Sequence, residues 1–340
     1  MRGDRAQRGA ISAGRLLFVL LLSLSAAILM RILLSPESSS FIEVSRRNAA
    51  LGTFSTFIII ASEDSTEMIL DSMDSLAACL DRELGVFDPE GELSRLNSSG
   101  GASLDSISVH LAEVLRISLL AAEVTDSLFD PAMGPLVDLW GFASSPSLPE
   151  SASICSVLAL SGIENISLGS NSIALAGGAR LDLGAVAKGY TADAIYDLAL
   201  SRGALAALVE IGGEIRCGGM PGTDRLWIIG VRDPRSGGTS DILEMTNGAV
   251  ATSGDYESCF IDQDGTRYCH ILDPRTGYPE SGVASVTVRA PTAGIADALA
   301  TAIAVGGVSL AEELPDSLFF SITVITVDSA GALQEWRRDG

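Results

Sequence analysis

The sequence predicts an α+β protein, and two patterns carry that reading. Apolar residues recur at helical spacing in some stretches and crowd into short strand-like runs in others. The two kinds mix without a strict strand–helix–strand rhythm, which disfavours a doubly wound parallel sheet. With 340 residues and 47% hydrophobic content, the chain can bury one large core or two modest ones.

The elements follow in order. Residues 54–60 are rich in Phe and Ile and predict a strand. Leu70, Met73, Ala77, Leu80 and Leu84 place a helical stripe in residues 65–84. Residues 107–124 repeat that stripe, and residues 189–200 and 293–305 predict further helices. Strand-like runs lie at residues 206–211, 226–231, 283–288 and 319–327. No internal repeat is present.

The start of the chain is different. Arg2, Arg5, Arg8 and Arg15 precede an apolar run over residues 16–30, followed by Arg31 and Ile32-Leu33-Leu34. A span needs roughly 17–25 apolar residues, so Arg31 falls near its outer end, where it can snorkel to headgroups. Such a start reads as an export signal, with a small-residue cleavage site around Ser23 to Ala27, or as an uncleaved anchor; the expectation is that residues 1–35 are a basic start plus signal anchor, residues 36–43 a linker, and residues 44–340 the folded domain. The positive-inside rule puts that domain outside the cytoplasm.

Composition excludes several function classes. The net charge of -21 repels a phosphate backbone, so no nucleic-acid partner is expected. The five cysteines form no CxxC pair, which argues against a disulfide framework or a structural zinc site. With only His110 and His270 available, a metal here must be held mainly by oxygen.

Gly, Asp and Pro concentrate in segments suited to ligand loops. One runs Leu128-Phe129-Asp130-Pro131 with Gly134-Pro135 and Trp140-Gly141-Phe142. A second is Asp182-Leu183-Gly184-Ala185-Val186-Ala187-Lys188-Gly189-Tyr190. There Lys188 stands at a helix start, a place that suits a phosphate or a flavin carbonyl but equally a solvated turn. A third contains Thr252-Ser253-Gly254-Asp255 and His270-Ile271-Leu272-Asp273-Pro274-Arg275-Thr276-Gly277. Its turn residues mark a site loop around His270, while His110 within a helical stretch reads as structural. Ser253 lacks the G-x-S-x-G setting of a nucleophile. In the fourth, Asp297 and Thr301 stand at i and i+4 on one helix face. They can share one hard cation, or Asp297 can simply favour the helix start.

In order and spacing these segments resemble the ApbE family of FAD:protein FMN transferases, from Leu51-Gly52-Thr53 to the C-terminus. Phe87-Asp88-Pro89, Glu92-Leu93-Ser94-Arg95-Leu96-Asn97, Gly212-Gly213, Trp227 with Gly230 and Asp233-Pro234 add to the likeness. The resemblance implies a single bilobal α+β domain, related to the T-fold, with FAD in a cleft between lobes. It implies that Leu128, Phe129, Asp130, Asp182, Lys188 and Ser253 line the flavin site, with Ile271 beside the isoalloxazine. Leu51 and Phe87 stand where many members carry Met and Tyr, positions that approach FAD. Magnesium would be held by the backbone oxygen of Ala185 and the side chains of Asp297 and Thr301, with Gly294 nearby. The implied reaction moves FMN from FAD to a Thr or Ser hydroxyl of an acceptor flavoprotein of a membrane redox complex and releases AMP; His270, with an ordinary pKa near working pH, is the candidate to take the proton, and an Asp is the alternative. The competing expectations are FAD hydrolysis to FMN and AMP, and flavin binding without turnover.

Overall fold

The computed structural model describes residues 40–340, apart from 87, 99–102, 220, 223 and 224. The apolar run proposed as an anchor and Phe87 lie outside the described residues.

The first half runs β1 (Phe41–Ala50), β2 (Thr53–Ser62), α1 (Thr66–Leu84), α2 (Glu92–Ser98), β3 (Ser103–Leu104) and α3 (Val109–Val124). It continues with α4 (Gly134–Trp140), α5 (Ser151–Leu158), β4 (Ile166–Leu168), β5 (Ile173–Leu175) and α6 (Ala187–Ser201). The second half holds β6 (Ala206–Ile211), β7 (Glu214–Gly218), β8 (Trp227–Arg232), β9 (Thr239–Met245) and β10 (Gly248–Gly254). The remainder is β11 (Cys259–Ile261), β12 (Arg267–Cys269), β13 (Val283–Ala290), α7 (Ala293–Glu313), β14 (Ser321–Val327) and β15 (Leu333–Asp339). β1 begins inside the stretch read as linker.

Eight strands form one sheet in the order β1-β2-β6-β7-β10-β13-β14-β15, and every neighbouring pair is antiparallel. The α+β expectation holds. Alternate residues on these strands face two different layers, as the two-residue period of a strand requires. Phe57, Ile59, Val209, Ala251, Val286 and Val288 pack under the helices. From the opposite face, Ile60, Leu208 and Val250 pack against Trp227, Ile229 and Met245 of the β8–β9 hairpin. A third cluster joins Met133, Leu136 and Trp140 to Ile154 and Leu272, with Phe142, Phe260 and Tyr268 against it.

Two helices matter most for the site. α6 and α7 cross closely because Gly189 has no side chain; a Cβ there would collide with the backbone of Ala293. Asp193 of α6 then caps α7 in trans, accepting from the N–H groups of Ala293 at 2.8 Å and Gly294 at 2.9 Å. Burial pushes the Asp193 carboxyl up to about 6 against these bonds. α7 extends well beyond the sequence expectation, running past a left-handed kink at Gly307 (φ 65°).

The β1–β2 turn explains Leu51. Leu51 and Gly52 both have positive φ, 50° and 72°, as a tight two-residue hairpin turn demands. The Leu51 N–H donates to Asp81 Oδ1 of α1 at 2.9 Å.

Candidate active site

The segments singled out above converge on one cavity of about 360 Å³. Leu128, Phe129 and Asp130 come from the loop after α3, and Asp182, Gly184 and Ala185 from the loop before α6. Lys188 stands in the first turn of α6, and Thr252 and Ser253 lie on β10. His270 and Ile271 follow β12, and Asp297 and Thr301 project from α7. Leu51 is not among the lining residues.

The loops are fixed by backbone bonds. Asp182 N–H donates to Pro131 O at 2.9 Å, and Gly134 N–H to Arg180 O at 3.0 Å. Asn97 of α2 clamps Leu181 from both sides: its amide donates to the Leu181 carbonyl and its oxygen accepts from the Leu181 N–H, each at 2.8 Å. Trp140 Nε1 donates to Gly277 O at 2.9 Å and ties α4 to the turn after His270.

Asp130 shows why lining a cavity differs from serving it. Its Oδ1 accepts from Ala132 N–H at 2.8 Å and its Oδ2 from Gly162 N–H at 2.9 Å. One oxygen braces its own loop and the other ties that loop to the segment after α5, and burial raises the carboxyl above its usual range despite those bonds. Asp182 likewise accepts from Gly184 N–H at 2.8 Å; burial is the main cause of its raised pKa.

The charged end of the cavity is built around Lys188. Its Nζ donates to Gly184 O at 3.0 Å and lies 3.1 Å from Glu214 Oε1 and 3.7 Å from Asp297 Oδ2. Burial works against the ammonium charge, but Asp297 and Glu214 outweigh it and raise the Lys188 pKa. Burial raises the carboxyls of Glu214, Asp297 and Glu257, and Lys188 opposes it in all three. Asp297 Oδ2 also accepts from Gly189 N–H at 3.1 Å. One turn along α7, Thr301 Oγ1 meets Ser253 Oγ at 3.1 Å.

Sequence reasoning missed Glu214 and Glu257, which line the cavity beside Lys188. The only available signal was the Gly212-Gly213 turn just before Glu214. His110 is outside the cavity, with Nδ1 at 2.7 Å from Tyr190 OH.

The donor set suits a hard divalent cation. Among the described residues no group of three or more His, Cys, Asp or Glu is arranged for a metal. Asp297 instead supplies one buried carboxylate and Thr301 a hydroxyl, and Ala185 lines the same cavity. Such a sparse oxygen set fits magnesium, which keeps waters and takes substrate phosphates as further ligands.

An antiparallel sheet under helices thus carries a cavity with one lysine held among three carboxylates in its wall. Residues 51–322 match the family described as the ApbE family. The chain belongs to that family. The FAD:protein FMN transferase of Treponema pallidum (strain Nichols) is 34% identical over 305 residues, covering 82% of this chain and 84% of that protein. The FAD:protein FMN transferase of Vibrio cholerae serotype O1 is 34% identical over 242 residues, covering 69% and 72%. The crystal structure of an ApbE protein from Thermotoga maritima superposes with a TM-score of 0.77 at 31% identity, over 87% of this chain and 96% of that one. The apo flavinyl transferase ApbE of Pseudomonas stutzeri gives 0.78 at 26% identity, over 89% and 96%.

Proposed function

We propose that this cavity binds FAD and that the chain is a FAD:protein FMN transferase acting on a Thr or Ser hydroxyl of an acceptor flavoprotein. The observation that carries the reading is the placement of Lys188, Asp297 and Thr301 in the same cavity as an apolar wall of Leu128, Phe129 and Ile271. The apolar walls from Leu128, Phe129 and Ile271 suit a flavin ring. FAD would lie between the sheet-and-helix body and the smaller cluster around Trp140, the two lobes of the domain.

Asp297, Thr301 and the Ala185 carbonyl would hold magnesium, which supplies electrostatic stabilisation to the phosphoryl oxygens and the leaving group. Lys188 orients and neutralises the pyrophosphate. The acceptor oxygen bonds to the FMN phosphorus, the bond from that phosphorus to the bridging oxygen breaks, and AMP leaves. The hydroxyl proton goes to His270, a half-buried residue of the cavity wall whose Nδ1 has no hydrogen-bond partner. Acceptors of membrane redox complexes and an extracytoplasmic, membrane-anchored domain complete the proposal, supported by the arginine-rich start and the apolar run after it.

The test incubates the full-length chain with FAD, magnesium and several candidate acceptors. Acceptor mass should rise by one FMN on Thr or Ser, and Asp297→Ala should abolish the gain. Free FMN and AMP beside an unmodified acceptor in every case would instead make the enzyme a FAD pyrophosphatase.

A further inference from the structure

We infer that Glu214 is a positioning residue that draws the Lys188 ammonium away from the cation site, so that metal binding at Asp297 proceeds by exchange of one cation for another. The inference rests on the proposed metal role of Asp297. Lys188 Nζ stands 3.7 Å from Asp297 Oδ2, the carboxylate that would take the metal. A dication arriving there meets a positive charge already in place. An ammonium has three donors and no lone pair, so it must move toward another acceptor rather than share the metal.

Glu214 is placed to receive it. The side chain is buried at the first position of β7, and its Oε1 lies 3.1 Å from Lys188 Nζ. Its second oxygen, Oε2, is buried and has no hydrogen-bond partner. A buried carboxylate oxygen without a donor is costly. A second N–H from Lys188, freed from Asp297, would satisfy it. Gly184 O, at 3.0 Å, keeps the ammonium near the loop that carries Ala185 during the exchange. Glu257, the other acid beside Lys188, has no direct bond to it among the described residues and acts only through its field.

The experiment titrates Mn2+ into the full-length chain without FAD, where Lys188 has no pyrophosphate to engage, and follows the free-ion signal by electron paramagnetic resonance. Glu214→Gln should weaken Mn2+ binding roughly tenfold, because Lys188 then falls back on Asp297. In a Lys188→Met background the same substitution should change binding less than about twofold. Glu214→Asp, which keeps the charge but shortens the reach, should give a smaller loss that Lys188→Met also erases; it carries the test if Glu214→Gln does not fold. Wild-type Mn2+ affinity in the Glu214 variants overturns the inference. So does an equal loss in the Lys188→Met background, which would mean that Glu214 acts on the cation directly. If the wild-type chain draws no Mn2+, or Asp297→Ala leaves binding intact, the metal site itself fails and takes this inference with it.

Discussion

His270 is held by its backbone while its ring is left unbonded. Its N–H donates to Ser258 O at 2.9 Å, closing the base of the β11–β12 hairpin, and its Nδ1 is buried without a partner. Burial first, and the Lys188 charge second, lower its pKa below the ordinary 6.5. The imidazole is therefore neutral at pH 7 and able to accept a proton. Transfer should be at its plateau at neutral pH and fall as the pH drops through a midpoint below 6.5. His270→Gln should slow transfer about 10²–10⁴-fold, leave FAD affinity near wild type and remove that acid limb. Lys188→Met should move the midpoint upward. A pH–rate profile of acceptor flavinylation reads all of these, and full activity in His270→Gln assigns the proton to a carboxylate. At this scale the sequence was informative where a residue type recurs in a spaced motif. Asp182, Ala185, Lys188, Ser253, His270, Ile271, Asp297 and Thr301 all reach the cavity. Glu214 was illegible because a single Glu after a glycine turn looks like any solvated acid until the sheet buries it, and Glu257, in the connection between β10 and β11, carries no local pattern at all.

The α6–α7 crossing shows how one element positions the chemistry of another. Gly189 follows Lys188 directly, and its α-carbon faces Ala293 and Asp297. A Cβ at this position would also stand 2.9 Å from Asp297 Cβ. Gly189→Ala must therefore spread the two helices that carry the lysine and the carboxylate. Overpacking of this kind costs roughly 1–3 kcal/mol, outweighing any helix-propensity gain. The urea midpoint should fall accordingly, and transfer should fall further than stability alone explains, because the Lys188–Asp297 separation changes. An unchanged midpoint would mean that the helices slide apart without cost. The helices were legible from their apolar stripes, and α1 and α3 lie within two residues of the expected starts. β10 was not, although it pairs with both β7 and β13 and carries Ser253. Its sequence, Gly-Ala-Val-Ala-Thr-Ser-Gly, lacks the β-branched and aromatic density that marks a strand. Small residues are needed there because α7 lies directly against it, a tertiary requirement that local pattern does not encode.

For the whole molecule, two apolar segments compete for a membrane role. Among the described residues only α7 is long and apolar enough to cross a bilayer, but 67% of its most apolar window is buried within the protein. It also carries the buried Asp297 and packs on β10 and β13. Removing it would dismantle the core and the proposed metal site together. The apolar run over residues 16–30 has no such commitment in the sequence and is flanked by arginines on the side expected to stay in the cytoplasm. The full-length chain should therefore sediment with membranes and resist extraction by high salt, and protease added to intact cells should release the catalytic domain. Deleting residues 1–39 should give a protein that stays in the supernatant and flavinylates a soluble acceptor at the wild-type rate, since among the described residues the cavity lining begins at Leu128 and the sheet begins at Phe41. Salt-extractable, protease-protected full-length protein would overturn the anchor. Loss of transfer on deletion would show instead that the start of the chain serves the site rather than the membrane.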